Sequence, residues 1–290
     1  MIATIVEMMS HAFIQRAVLV GTLISLCAAL LGVSLVLKRY SMIGDGLSHV
    51  GFGVLTLATA FGVTSPLYVA VPCVTISAIM LLRIGNNSKI KSDSSIALIS
   101  SSALAIGVAA TSVTTGMNTD VCNFMFGSIL AMSKPDVYLS IGISIAVTIL
   151  FIIYYRKLFV VTFDEDFAKA SGLKAKRYTN IIAILTALII TIGMRMMGVM
   201  LISSIIIFPA LTSMIIFKSF KKVVISSAII SVLSFLIGIY LSYIYNISTG
   251  AMIVIVNLVL FILFSIIEKI IHDWTSQGHW GPFPSDPLFS

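Results

Sequence analysis

Residues 13–37 read FIQRAVLVGTLISLCAALLGVSLVL, an apolar run with one charged side chain, Arg16, near its start. About 20 apolar residues are enough for an α-helix to cross the ~30 Å hydrocarbon core of a bilayer. The apolar residues are continuous rather than alternating, which is atypical of a strand from an outer-membrane β-barrel. The segment therefore predicts a transmembrane helix, and the long side chain of Arg16 can carry its charge to the interface.

Similar apolar segments recur along the whole chain. They lie at about residues 13–37, 44–62, 67–83, 94–115, 136–155, 178–194, 198–217, 222–244 and 251–271. Of the 290 residues, 59% are hydrophobic and 10% are charged, and the mean hydropathy is +1.11. A soluble domain carries about 25% charged residues, so an ordinary soluble enzyme, a disordered chain and a nucleic-acid-binding module are excluded as first interpretations. The sequence predicts an all-α, polytopic transmembrane bundle of about eight to nine membrane helices.

The basic residues are distributed unevenly between alternate loops. Arg16, Lys134 and Arg195 fall on one side, and the other 15 of the 18 Lys and Arg residues fall on the opposite side. Cytoplasmic loops of membrane proteins are enriched in Lys and Arg. We therefore expect the lysine- and arginine-rich side, which includes the end of the last helix and hence the C-terminus, to be cytoplasmic. The N-terminus lies outside if all the segments span.

The longest polar segment, residues 156–177, reads RKLFVVTFDEDFAKASGLKAKR. Its middle, from Phe163 to Gly172, predicts a short helix that begins with acidic residues and stops at a glycine. Acidic side chains are stabilised at the start of a helix by the helix dipole. Two interpretations follow, a solvated connector and a docking helix that pushes on a cytoplasmic partner.

Two stretches depart from this pattern. Residues 118–133 are only partly apolar and short, which favours a re-entrant or surface-lying helix. Residues 273–290, DWTSQGHWGPFPSDPLFS, are rich in Pro, Gly and Ser, so we expect a disordered tail, with a vector-derived addition as the alternative. The transmembrane domain is therefore predicted to occupy residues 1–272.

Asp45 and His49 place two ionisable side chains at the start of an apolar segment, in the stretch SMIGDGLSHV at residues 41–50. On a helix, residues four apart lie on one face with their Cβ atoms about 5–6 Å apart. A carboxylate oxygen and an imidazole nitrogen placed in this way can share one divalent cation. Because ionisable groups inside a membrane are costly, the pair is a candidate functional site.

The same spacing supports a purely structural interpretation equally well. Asp45 could be the N-cap of the helix, and His49 could form a hydrogen bond inside the bundle. Two ligands are also too few for tight zinc binding, which usually takes four. A symmetric dimer would supply Asp45 and His49 twice, and such a set suits Mn²⁺, Zn²⁺ or Fe²⁺ alike.

Two residues interrupt later apolar segments. Pro209 removes a backbone hydrogen bond from the segment at 198–217, which indicates either a packing kink or a hinge beside a transport path. Arg195 falls in a predicted short outer loop, where it could anchor the chain at the interface or meet an acidic extracellular partner. The sequence contains no Gly-x-x-x-x-Gly-Lys-Ser/Thr motif, so it carries no P-loop for ATP.

The order and spacing of several short motifs indicate a family resemblance. The motifs are Gln15-Arg16-Ala17, Leu31-Gly32-Val33, Val36-Leu37-Lys38-Arg39, Ile43-Gly44-Asp45-Gly46-Leu47-Ser48-His49, Thr162-Phe163-Asp164-Glu165-Asp166-Phe167-Ala168, Ser171-Gly172-Leu173, and Gly198-Val199-Met200-Leu201 through Pro209-Ala210. Over about residues 10–270 the chain resembles the ABC-3 family, the membrane permease subunits of bacterial zinc, manganese and iron ABC importers. Gly46 departs from the Ala or Thr that members often have, and the tail has no counterpart.

The resemblance implies the partners and the roles of the candidate residues. It implies a homodimer of permeases in the lipid of the bacterial cytoplasmic (inner) membrane, two cytoplasmic ATPase subunits that use ATP, and an extracellular solute-binding protein that delivers the metal. Asp45 and His49 match positions that bind the metal transiently near the dimer axis during alternating access. The segment that couples to the ATPase is matched by Phe163, Asp164, Glu165, Asp166, Phe167, Ala168 and Gly172. No tightly bound cofactor, nucleic-acid partner or enzyme activity of the chain itself is expected.

The identity of the transported metal and the energy source have competing interpretations. The sequence Leu47-Ser48-His49-Val50 favours zinc over manganese or iron as the transported metal. The first alternative is an ATP-independent secondary transporter or channel for divalent metal. In that case residues 163–172 would be a plain loop with no ATPase to contact. A membrane-embedded enzyme with Asp45 and His49 as acid and base would show turnover by the isolated chain.

Overall fold

The computed structural model describes residues 7–87, 92–114, 125, 127 and 134–277, and all regular structure in these ranges is helical. The helices are α1 (Ala12–Leu37), α2 (Ile43–Ala60), α3 (Pro66–Asn87), α4 (Ser92–Val113), α5 (Lys134–Phe163), α6 (Glu165–Ala170), α7 (Ala175–Met197), α8 (Val199–Ile216), α9 (Phe220–Tyr245) and α10 (Thr249–Gln277). Each predicted apolar segment forms one of these helices, and the polar connector contains the short helix α6. The all-α prediction is therefore confirmed.

Six helices are long and apolar enough to cross a membrane by length and composition. They are α1, α4, α5, α7, α9 and α10, with shorter apolar helices at Pro66–Leu81 and Leu201–Ile216. Helix α2 is not among them, because it carries Asp45, His49 and several glycines in an 18-residue helix. Most of the predicted re-entrant stretch, residues 118–133, lies outside the described residues. Helix α10 continues to Gln277, past the predicted boundary at residue 272, and residues 278–290 also lie outside them.

The core of the bundle lies around α1 and α7. Within their apolar spans 67% and 72% of the residues are buried, against 17% for α4 and 28% for α5 and α10. Helix α1 packs against α5, α7, α8 and α9, and α2 packs against α3, α4, α7 and α8. Helices α1 and α7 are therefore central to the described part of the bundle, and α2 packs against α7.

Buried ionic contacts mark the two ends of the bundle. At the first end, Lys38 follows α1 and lies beside Glu165 of α6 and Thr179 of α7. Ile43, the first residue of α2, lines the same pocket as Lys38 and Thr179. We call the end of the bundle that contains Lys38, Glu165 and Thr179 the α6 end. At the opposite end, Arg195 of α7 donates a hydrogen bond to Asp136 of α5.

The position of Arg195 differs from the sequence-based expectation. The residue lies in the last turn of α7 and not in a loop. Its guanidinium Nη2 is 3.2 Å from Asp136 Oδ2, and the two side chains are only 10% and 5% exposed. A buried charge requires a partner close by, and Asp136 supplies one within the chain.

Gly53 allows α2 and α4 to pack with their backbones in close approach. A Cβ atom on Gly53 would lie 2.6 Å from the carbonyl oxygen of Ala103, which is helix backbone. Because that oxygen belongs to a helix turn, it cannot rotate away as a flexible side chain could. The α2–α4 contact therefore depends on the missing side chain.

We predict that Gly53→Ala lowers the stability of the purified protein by about 1–3 kcal/mol, the usual cost of overpacking. The midpoint of thermal unfolding in detergent measures this. Gly142→Ala is the matched control, since nothing lies within 4 Å of its new Cβ, and alanine is favoured in a helix by about 1 kcal/mol. Equal stability of the two variants would contradict the close approach of α2 and α4.

Candidate functional site

Asp45 and His49 lie side by side in the first two turns of α2, as their spacing predicts. His49 Nε2 is 3.6 Å from Asp45 Oδ2. The two side chains differ in exposure, because that of His49 is 16% exposed and that of Asp45 is 45% exposed. The carboxylate thus opens to the outside of the chain while the imidazole lies mostly inside it.

The start of α2 does not use Asp45 as its cap. The N-cap position is Met42, and Asp45 follows three residues later, inside the first turn. There the helix dipole favours a carboxylate without requiring a capping hydrogen bond. The interpretation of Asp45 as the helix N-cap is therefore wrong.

His49 does not form the internal hydrogen bond that a structural histidine would need. Its Nδ1 atom is buried and finds no hydrogen-bond partner among the described residues. Leaving a buried polar atom in this state costs about 1–3 kcal/mol. Hydrogen bonding within the described part of the chain therefore does not account for the histidine, whose Nε2 lies beside the Asp45 carboxylate.

Helices α4 and α8 approach the site through its glycines. A Cβ on Gly46 would lie 2.7 Å from Ile96 of α4, and one on Gly44 would lie 3.7 Å from Ser203 of α8. Within the described part of one chain, no group of three or more His, Cys, Asp or Glu side chains could hold a metal ion. As metal ligands, Asp45 and His49 would therefore be an incomplete set that needs water or a second chain.

The polar connector folds as predicted, although its helix is shorter. Asp164 is the N-cap of α6, and its Oδ1 accepts hydrogen bonds from the backbone N–H groups of Asp166 at 3.0 Å and Phe167 at 2.8 Å. Gly172 stops the segment with a φ of +80°, which is strained for other residues. Phe163 is the last residue of α5 and does not belong to the short helix.

The two faces of α6 have different environments. Ala168 is fully buried and packs with Val161 of α5 and Ala175 of α7, a set that we call the α6 cluster. Phe163 and Phe167 are 58% and 61% exposed. Two exposed aromatic side chains beside a capped helix suit a surface for contact with another protein.

Lys38 connects the end of α1 with α6 and α7, a role that neither its count among the basic loop residues nor its family motif predicted. Its ammonium is 3.5 Å from Glu165 Oε2 and donates to Thr179 Oγ1 at 3.0 Å, and its side chain is only 7% exposed. Burial lowers the pKa of Lys38, and the charge of Glu165 opposes this shift. Burial, together with the charge of Glu165, raises the pKa of Tyr40.

Pro209 lies inside α8 and does not end it. The helix continues from Val199 to Ile216 through the proline. The hydroxyl groups of Thr212 and Ser213 donate to the carbonyls of Phe208 and Pro209 at 2.8 and 2.7 Å. A hinge at Pro209 stays a prediction.

Comparison with known proteins places this arrangement in a family. Residues 10–268 match the family described as the ABC 3 transport family. The chain is 30% identical to the manganese import system permease protein ScaB of Streptococcus gordonii, over 87% of this chain and 90% of the relative. It is 32% identical to the high-affinity zinc uptake system membrane protein ZnuB of Haemophilus influenzae, over 85% of this chain and 94% of the relative.

A solved structure shares the fold. It is described as PsaBC from Streptococcus pneumoniae in complex with Fab. The TM-score is 0.81 at 29% sequence identity, and the alignment covers 91% of this chain and 95% of the other. The likeness in fold therefore extends over most of the chain.

We predict that Asp164→Ala makes amide hydrogen exchange at residues 165–170 about fivefold faster, since losing an N-cap costs about 1 kcal/mol. Exchange is measured by mass spectrometry on the purified protein. Asp164→Asn is the matched control, because its side-chain oxygen can accept the same two hydrogen bonds. Exchange at the wild-type rate in Asp164→Ala would contradict the capping role.

Proposed function

Because this chain belongs to the ABC 3 transport family, we propose that it is the membrane permease subunit of an ATP-driven importer for divalent transition-metal ions. It is a multi-pass membrane protein, with six helices apolar enough to span. Its relatives are named as membrane proteins of manganese and zinc uptake systems. The observation that carries the proposal is the Asp45–His49 pair, with its separation of 3.6 Å and its unequal exposure.

In this proposal two copies of the chain form a homodimer, and each contributes Asp45 and His49 near the shared axis. The exposed carboxylate of Asp45 supports the pairing, because it is the part of the incomplete ligand set that faces outward. Two imidazoles and two carboxylates would hold Zn²⁺, Mn²⁺ or Fe²⁺. The carboxylates also balance the charge of the cation in a low-dielectric path. The sequence around His49 favours zinc as the transported metal, whereas the relatives include proteins of manganese and of zinc uptake systems.

The α6 end is the proposed cytoplasmic end, and it would dock two ATPase subunits, one on each permease chain. The contact segment consists of Phe163, Asp164, Glu165, Asp166, Phe167, Ala168 and Gly172. Its exposed phenylalanines and its capped, glycine-terminated helix support this role. The bundle would lie in the bacterial cytoplasmic membrane with the end of α10 inside, as the distribution of Lys and Arg indicates.

Transport would proceed by alternating access. An extracellular solute-binding protein would deliver the metal at the Arg195 end, and Asp45 and His49 would hold it while the path changes its exposure. Pro209 is the proposed hinge in α8, because its ring leaves one carbonyl without its helical hydrogen bond. ATP would be bound and hydrolysed only by the partner subunits.

We predict that Asp45→Asn and His49→Gln each reduce metal accumulation at least about tenfold, a loss seen even for residues that only support metal ligands. Cells expressing the chain with its ATPase and binding protein receive Zn²⁺ or Mn²⁺ separately, and the accumulated metal is measured. His11→Gln is the matched histidine control, because His11 is exposed at the start of α1. Normal uptake in both site variants, at normal membrane levels, would refute the metal role.

The energy source is tested in the same cells. Depletion of ATP is expected to abolish wild-type accumulation of the transported metal. Uptake that survives depletion would instead support an ATP-independent transporter or channel. Turnover of a substrate by the isolated chain would support an enzyme.

A further inference from the structure

The contact between Lys38 and Glu165 connects two parts of the chain that the proposed function uses separately. Glu165 is the first residue of α6, the helix proposed to meet the ATPase. Lys38 is the C-cap of α1 and precedes α2, the helix that carries Asp45 and His49. The ion pair, at 3.5 Å, therefore spans the space between the docking segment and the junction of α1 with α2.

Helix α6 is attached to the bundle through few buried side chains. Its buried residue, Ala168, belongs to the α6 cluster, which is separate from the main hydrophobic core. The ion pair with Lys38 adds a contact that reaches beyond α5 and α7. Because Lys38 also donates to Thr179 of α7, its ammonium is held on a second side.

Glu165 contacts two cations, one with each carboxylate oxygen. Its Oε2 faces Lys38, which is 7% exposed, and its Oε1 lies 3.6 Å from Lys169, which is 50% exposed. A movement of α6 that separates Glu165 from Lys38 leaves the carboxylate with a partner on its own helix. Such a movement would exchange a buried partner for an exposed one, and a contact with two arrangements is what a coupling element needs.

The loop between Lys38 and α2 is suited to pass on a displacement. Backbone hydrogen bonds run from Tyr40 N–H to the carbonyl of Leu35 at 2.9 Å and from Ile43 N–H to the carbonyl of Tyr40 at 3.0 Å. Arg39, which lies between Lys38 and Tyr40 in this loop, has a left-handed φ of +59°. A short hydrogen-bonded loop moves as a unit, and Asp45 lies in the first turn of α2 directly after it.

We propose that the Lys38–Glu165 ion pair relays the position of α6 to α2, so that ATP-driven movement of the docking segment changes the exposure of Asp45 and His49. Lys38 and Glu165 are positioning residues in this proposal and bind no metal. The proposal rests on the proposed function of the chain as an ATP-driven permease. It assigns the coupling of hydrolysis to transport to one contact within the permease itself.

The test uses the complete transporter, with its ATPase and binding protein, in proteoliposomes supplied with Zn²⁺ or Mn²⁺. ATP hydrolysis and metal uptake are measured in the same vesicles. Lys38→Met is expected to keep hydrolysis near the wild-type rate while metal transported per ATP falls about fivefold or more, the lower range of coupling between sites. Lys157→Met is the control, since Lys157 is an exposed cation near the same end whose ammonium lies 5.5 Å from the Tyr178 ring centroid.

The outcomes separate the relay from the function on which it rests. A wild-type ratio in Lys38→Met would overturn the relay, and so would an equal fall in hydrolysis and uptake, which indicates a merely structural role. If Lys38→Met fails to assemble, Lys38→Gln decides, because its amide can still donate to Thr179 Oγ1 but carries no charge to pair with Glu165. Wild-type vesicles without ATP-dependent uptake of either metal would overturn the proposed function and the relay with it.

Discussion

The hydrocarbon interior of a bilayer offers no water, so every polar group that crosses it has to find its partner within the protein. The helices satisfy their backbone groups in this way, and buried hydroxyl groups donate back to the preceding turn, as Thr186 does to Ile182 and Thr191 does to Ala187, both at 2.7 Å. Charges near the ends obey the same requirement, and Arg195 meets Asp136. Several buried side-chain atoms of the described residues have no such partner, and the Nδ1 of His49 is the one of them that lies beside the candidate site. Each such atom calls for an explanation, because leaving it unpaired is costly.

Much of the fold could be predicted because its signals are local. Apolar runs mark helices whatever their neighbours are, and the acidic residues before Gly172 mark a short helix by themselves. The contacts at the two ends could not be predicted, because Lys38 and Glu165 are 127 positions apart and Arg195 and Asp136 are 59 apart. Only the packing of α1, α5, α6 and α7 brings them together.

The candidate site was predictable in part for the same reason. A separation of four residues places Asp45 and His49 together on any helix, so their juxtaposition followed from the sequence. Whether Asp45 caps the helix depends on where the helix begins, and the hydrogen-bonded loop at residues 38–42 fixes that start at Ile43. Their unequal exposure depends on how α4 and α8 cover α2, which no local pattern contains.

The separation of the α6 cluster from the main core has a consequence for how such proteins diverge. Ala168 touches only a small group of side chains, and the aromatic ring of Phe167 faces outward. Substitutions on that outer surface can accumulate without disturbing the helices that line the membrane interior. Under the proposed function, gene duplicates could therefore change the subunit that they recognise while the proposed metal path stays the same, and a few exposed side chains would keep related systems in one cell apart.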